Sequence, residues 1–151
     1  MRVRPARPED VPALARVAAR SYGHAFRAIL DAAALESRDS AYFAALFAEK
    51  RPGMQVAESE GKAVGFSLVT DGHIDMLFID PAEAGRGGGT MLLRAAEAAG
   101  ARTLEAFRDN GPARAFYESR GWRAVEEYER EFAGALRAFV LYRPAAQEGS
   151  G

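Results

Sequence analysis

Apolar residues recur at helical spacing early in the chain and at strand spacing from about residue 54 onward. Val11, Leu14, Ala15, Ala18 and Tyr22 make one apolar face of a helix. Pro8-Glu9-Asp10 opens it, with proline suited to the first helical position and two acids at the positive end of the helix dipole. A short strand over 2–6 precedes it. Gly23 is expected to end or bend this helix, and residues 24–40 are less regular. A second helix follows, with Tyr42, Phe43, Leu46 and Phe47 on one side, and Arg51-Pro52-Gly53 stops it.

The period then shortens to two. Met54–Ser59 and Ala63–Thr70 read as strands around a Glu60-Gly61-Lys62 turn, and Asp71-Gly72 turns the chain into a third strand, His73–Ile79. A glycine-rich loop leads into a helix from Thr90 to Gly100. Thr103–Phe107 is another strand, and Asn110-Gly111-Pro112 opens a helix over 112–120 that Gly121 caps. Trp122–Phe132 and Ala138–Arg143 are the last strands. Mixed elements around one strand–loop–helix unit define an α/β (α+β) chain. A single domain over 1–144 is expected, with a flexible tail over 145–151.

Composition narrows the function classes. A chain of 151 residues with 48% hydrophobic residues can build a core. Its net charge of −1, from 20 basic and 21 acidic residues, argues against a partner bound through a strong overall positive field, so no nucleic acid is expected. With no cysteine, disulfides, thiolate metal sites and cysteine nucleophiles are excluded. His24 and His73 are the only histidines, so zinc would need carboxylates as well, and no metal is expected. No apolar run approaches the roughly 20 residues of a membrane span. No signal peptide is seen either, which makes a cytoplasmic location the default.

Gly85-Arg86-Gly87-Gly88-Gly89-Thr90 lies between a strand and a helix. Glycines let an anion approach the backbone, the first helical N–H groups lack intrahelical partners, and the dipole adds positive charge there. That is a phosphate site, to which Arg86 adds a formal charge. A Walker loop would end in Gly-Lys-Ser/Thr, and a dinucleotide fingerprint would have glycine where Thr90 stands, so neither matches. A surface turn is the plainer reading of the loop alone. Further on, Asn110 is a cap candidate, and Tyr117 lies two turns along the same helix. Taken singly, Asn110 reads as a cap, Tyr117 as packing and Glu105 as a solvated strand carboxylate.

Together these two segments resemble the GNAT superfamily of acyl-CoA-dependent N-acyltransferases. The resemblance rests on Ile79-Asp80-Pro81-x-x-Ala84-Gly85-Arg86-Gly87-Gly88-Gly89-Thr90-x-Leu92-Leu93 and on Asn110-x-x-Ala113-x-x-Phe116-Tyr117-x-x-x-Gly121-Trp122. It covers the chain from about residue 2 to 143. It implies a central mixed, mostly antiparallel sheet of about six to seven strands flanked by about four helices. It implies that acetyl-CoA is the acyl donor. The backbone of Leu77, Phe78 and Ile79 would meet the acetyl and pantetheine part. The N–H groups from Gly85 to Thr90 (Gly85, Arg86, Gly87, Gly88, Gly89, Thr90) would hold the pyrophosphate. Asn110 matches a cofactor-side asparagine, Tyr117 a tyrosine that protonates the departing thiolate, and Glu105 a strand position that serves some members as general base. Ala84 stands where the family usually has Gln or Arg, and Gly88 replaces a larger apolar residue, which predicts a looser loop.

The implied reaction moves an acetyl group to a primary amine of a small molecule or peptide. Because an alkylamine has a pKa near about 10.4, a base must act before attack. Glu105 is the candidate, with water or Asp75 as alternatives. Tyr22, His24, Phe26, His73 and Asp75 are the expected acceptor-side residues. A non-catalytic acyl-CoA-binding module and an unrelated nucleotide-phosphate binder are the rival classes, and a homodimer is compatible with the resemblance.

Overall fold

A computed structural model describes residues 1–145. It contains seven strands and five α-helices among those residues: β1 (Arg2–Pro5), α1 (Val11–Phe26), α2 (Ala32–Ser37), α3 (Ser40–Lys50), β2 (Met54–Ser59), β3 (Lys62–Thr70), β4 (His73–Ile79), α4 (Gly88–Ala98), β5 (Thr103–Phe107), α5 (Gly111–Ser119), β6 (Trp122–Phe132) and β7 (Ala135–Pro144). The class is mixed α/β, as the sequence pattern implies, and its strands are mostly antiparallel, as the resemblance implies. The chain forms two compact units, Met1–Ala101 and Arg102 onward.

In the first unit β1, β2, β3 and β4 pair antiparallel in chain order. Glu60-Gly61 and Asp71-Gly72 turn between strands with φ of 53° and 75°, and of 50° and 78°. Positive φ at both central residues marks the type I′ turn, whose twist suits a two-residue hairpin. Two irregularities interrupt the ladders. Leu68 pairs with Met76 and Val69 with Ile74, so Asp75 is the extra residue of a bulge in β4.

Strand alternation gives β4 two different faces. On one, Phe78 joins an aromatic circuit. Tyr22 meets Phe43 at 5.4 Å, Phe43 meets Phe47 at 5.7 Å, Phe47 meets Phe66 at 5.0 Å, Phe66 meets Phe78 at 6.0 Å, and Phe78 returns to Tyr22 at 6.0 Å. This circuit carries α1 and α3. On the other face Leu77 and Ile79 pack with Ala57, Val64 and Leu92, beneath α4.

The first helix does not stop at Gly23. It runs on to Phe26, because Tyr22 and Phe26 are an i, i+4 pair on the buried face, with rings 4.7 Å apart. That burial outweighs the roughly 1 kcal/mol cost of a helical glycine. The irregular stretch after it holds one short helix, α2. Before α1, Pro8–Asp10 forms a 3₁₀ turn rather than the helix's first turn.

In the second unit β7 pairs with both β5 and β6, antiparallel. The β6–β7 hairpin closes at Ala133-Gly134, with φ of 51° and 85°. Hence β7 starts at Ala135 rather than at 138. Ala145 donates to the Gly121 carbonyl at 2.7 Å, and the rest of the expected tail, 146–151, lies outside the described residues. Among the described residues no helix is long and apolar enough to cross a membrane.

Candidate active site

In the first unit, the loop after β4 is braced before it reaches α4. Asp80 accepts from the Ala82 N–H at 3.1 Å and from Arg20 of α1. Partial burial opposes ionisation of Asp80, but the hydrogen bonds from Arg20 and Ala82 prevail and hold it below the usual carboxylate range. Ser21 of α1 donates to the Ile79 carbonyl at 3.3 Å. The end of β4 is thus tied to α1 by side chains.

Gly85 and Gly87 take φ of 81° and 84°, and a Cβ at either would meet nothing within 4 Å. Their glycine requirement is therefore conformational. Gly87 is the N-cap of α4, and its carbonyl accepts from Met91 N–H at 3.1 Å. The N–H groups of Gly88 and Gly89 begin the helix, where no preceding turn can accept from them. The loop from Ala84 to Gly87 is exposed. Arg86 reaches Glu83 at 2.6 Å and stays half exposed. Exposed glycines, helix N–H groups and a nearby guanidinium suit an anion.

Gly88 differs from the looseness expected of it. It is buried, and a Cβ there would stand 2.8 Å from Ile79 Cδ1 and 2.8 Å from Met1 Sδ. The third glycine of the loop, Gly88, lets α4 seat directly on the Ile79 side chain. Ile79 also explains Gly65, whose Cβ would lie 2.3 Å from Ile79 Cδ1 and 2.7 Å from the Phe78 carbonyl.

The five expected acceptor-side residues fall on two elements, α1 and β4, and in three environments. Tyr22 and Phe26 are buried and meet Phe78, each at 6.0 Å between ring centres. His24 is exposed on the opposite side of α1. His73 is half-buried at the start of β4. Asp75 is exposed at the bulge and accepts from the Thr70 hydroxyl at 2.6 Å.

In the second unit, Asn110 is buried and caps α5, its Oδ1 accepting from Ala113 N–H at 3.3 Å. Tyr117 follows two turns later. Its ring meets Phe116 edge-on at 5.2 Å and Tyr142 at 6.2 Å. Burial pushes its phenol up to about 12. Among the described residues its hydroxyl has no hydrogen-bond partner. Tyr142, fully buried on β7, fixes the helix behind it by accepting from Arg114 Nε at 2.9 Å and donating to Glu118 at 2.5 Å.

Glu105 of β5 has a different setting. Its Oε2 accepts from the Tyr128 hydroxyl, Arg130 Nε lies 3.1 Å from both oxygens, and Arg130 Nη2 donates to Oε1. Burial and this hydrogen bond to Glu105 both push the Tyr128 phenol upward. Sequence reasoning missed Tyr128, Arg130 and Tyr142. Alternation along β6 places Tyr128, Arg130 and Phe132 on one face, the signal that could have found the first two.

The chain belongs to the GNAT acetyltransferase family: the model described as "Acetyltransferase (GNAT) domain" matches residues 24–138. A GCN5-related N-acetyltransferase from Rhodopseudomonas palustris is 28% identical, with TM-score 0.75 over 95% of this chain and 94% of its own. Apo YjaB from Escherichia coli is also 28% identical, with TM-score 0.75 over 95% and 97%. A Thermoplasma acidophilum PaiA N-acetyltransferase, solved with coenzyme A, shares the fold at 16% identity and TM-score 0.68, over 94% and 97%. No curated protein matches the sequence.

Proposed function

We propose that this protein transfers an acetyl group from acetyl-CoA to a primary amine. The glycine cradle at the start of α4 carries the reading, because its conformation and open N–H groups suit a pyrophosphate and the family uses acyl-CoA. Gly85, Arg86, Gly87, Gly88, Gly89 and Thr90 would hold the pyrophosphate, and the backbone of Leu77, Phe78 and Ile79 the pantetheine and acetyl part. Asn110 acts on the cofactor side, by resemblance to the family.

In the reaction the amine nitrogen forms a bond to the acetyl carbon and the carbon–sulfur bond breaks. A backbone N–H of the Leu77–Ile79 segment meets the oxyanion. Passing from ammonium to amide, the nitrogen gives up two protons. One equivalent ends on the CoA sulfur, delivered by Tyr117, which solvent then reprotonates; the other goes to solvent through the base. With its phenol near 12, Tyr117 is protonated throughout the working range. A thiol has a pKa of only about 8.5, so the thiolate leaves without help at a reduced rate. Glu105 is the proposed base, directly or through water.

Thermal-shift titration with acetyl-CoA, CoA and ATP tests the donor. At about 100 times its Kd a ligand adds roughly 2.7 kcal/mol of stability. A shift with both CoA species and none with ATP is expected; a shift with ATP alone would overturn the reading in favour of a nucleotide binder. Tyr117→Phe separates an enzyme from a binding module. It should lower kcat on the order of 10- to 100-fold while keeping acetyl-CoA binding. An unchanged kcat across pH would remove Tyr117 from the mechanism.

A further inference from the structure

One face of the β5–β7–β6 sheet carries an aromatic bed under a charged pair. Phe139 stacks on Phe107 at 4.8 Å and 28°, and on Tyr128 at 6.4 Å and 25°. Phe132 meets Phe139 at 5.9 Å. The Arg130 guanidinium lies 4.2 Å from the Phe139 ring centre and 5.4 Å from that of Phe132. Its Nη1 donates to the Glu131 carbonyl at 3.2 Å. Bed and carbonyl fix the plane of the fork, while its Nε and Nη2 edge grips Glu105. The Tyr128 hydroxyl supplies a third donor. This is a receptor for a planar carboxylate, holding one from its own chain.

That arrangement conflicts with the proposed duty of Glu105. A carboxylate whose two oxygens already accept from a guanidinium and a phenol must give up those bonds to take a proton from an ammonium. The Arg130 side chain is 43% exposed and Glu105 15%, so an incoming carboxylate can reach the guanidinium from solvent.

We propose that the acceptor is an amine bearing its own carboxylate on the adjacent carbon, an α-amino acid, and that Arg130 with Tyr128 selects it. A contact ion pair is complementary to a zwitterion whose charges are one carbon apart. The acceptor's carboxylate replaces Glu105 on the Arg130 fork, and its ammonium meets the released Glu105. Charge is conserved in the exchange, and the base is freed only when the right acceptor arrives. A diamine offers Arg130 nothing. Arg130 is a specificity residue on this view, and it acts on catalysis through Glu105. The inference rests on the N-acetyltransferase reading.

The test pairs each of alanine, leucine, phenylalanine and arginine with its amide, which keeps the amine and side chain and removes only the carboxylate. Binding to the acetyl-CoA-free protein is followed by calorimetry, and transfer by thiol release. For wild type the acid should exceed the amide in affinity and in kcat/KM for at least one pair. Arg130→Gln should cut that acid-to-amide ratio on the order of 10- to 100-fold, the range for a lost charged hydrogen bond. Arg130→Lys keeps the charge without the fork and should fall between; it also serves if the glutamine variant fails to fold. A ratio near one for every pair in wild type, or a ratio unchanged in the glutamine variant, overturns the proposal. Acetyl transfer without carboxylate preference would sink only the acceptor assignment. Carboxylate-selective binding with no CoA binding would instead sink the transferase reading and leave the receptor standing.

Discussion

Gly65 and Gly88 both face the Ile79 side chain, yet alanine should affect them differently. At Gly65 the added Cβ would lie 2.3 Å from Ile79 Cδ1, 2.7 Å from the Phe78 carbonyl oxygen and 3.2 Å from Ile79 Cα. Two of those three atoms are backbone of the paired strand, so β3 and β4 must separate or bend. Overpacking of this kind costs about 1–3 kcal/mol. At Gly88 the contacts are both ends of flexible side chains, Ile79 Cδ1 and Met1 Sδ, each at 2.8 Å. Turning them costs about 0.5–1.5 kcal/mol per off-rotamer angle. Against that, alanine in place of a helical glycine returns about 1 kcal/mol. Gly65→Ala should therefore lose about 1–3 kcal/mol, or about 2–12 °C in Tm for a chain of this size. Gly88→Ala should lose about 0–2 kcal/mol, less than Gly65→Ala. Urea unfolding of both variants, with Tm by circular dichroism, measures the difference. Gly65→Ala as stable as wild type, or Gly88→Ala the weaker of the two, would refute the reasoning that backbone and side-chain obstacles decide the cost.

Two further outcomes are expected. Asn110→Ala removes the α5 cap and should cost about 0.5–2 kcal/mol in urea unfolding; no loss would show that Asn110 is kept for another reason. Asp10 is held below its usual range by its hydrogen bond from Arg4, with the Arg7 N–H and charge attraction adding to it against desolvation. A carboxylate lowered in the folded state contributes stability that is complete above its unfolded pKa of about 3.9 and is lost as pH falls through the folded value. The deficit of Asp10→Asn against wild type should thus be constant from pH 7 to about 5 and shrink below about 4. A deficit that grows on acidification would contradict this sign.

The parts of the fold legible in the sequence are those whose signals are local. The turns at Glu60-Gly61 and Asp71-Gly72 set β3 and β4 because an acid–glycine pair takes two positive φ values readily. The hairpin at Ala133-Gly134 makes the same turn, but alanine there gives no such signal, and β7 starts three residues before its expected beginning. Gly23 misled for the opposite reason. Its local preference is to end a helix, and the tertiary burial of Tyr22 and Phe26 overrides it. Gly88 is similar: sequence shows a missing side chain, and only the packing shows that Ile79 and Met1 occupy its place.

The candidate site divides along the same line. The glycine loop, Asn110 and Tyr117 were legible as residues, because a cap and a helix start are local and their spacing along α5 is fixed by helix geometry. The setting of Glu105 was not, since Tyr128 and Arg130 reach it from 23 and 25 residues away across an intervening strand. That setting changes the chemistry more than the identity of the residue does. Among the described residues the Tyr117 hydroxyl has no hydrogen-bond partner, and burial pushes its phenol up to about 12, so in the proposed mechanism it already holds the proton to be given. Glu105 has partners on both oxygens and, as the proposed base, would have to be released before it could accept one. On the proposed mechanism, an acid kept ready and a base kept engaged put the control of turnover on whatever displaces Arg130, so an acceptor that competes for that guanidinium should be the one acylated fastest.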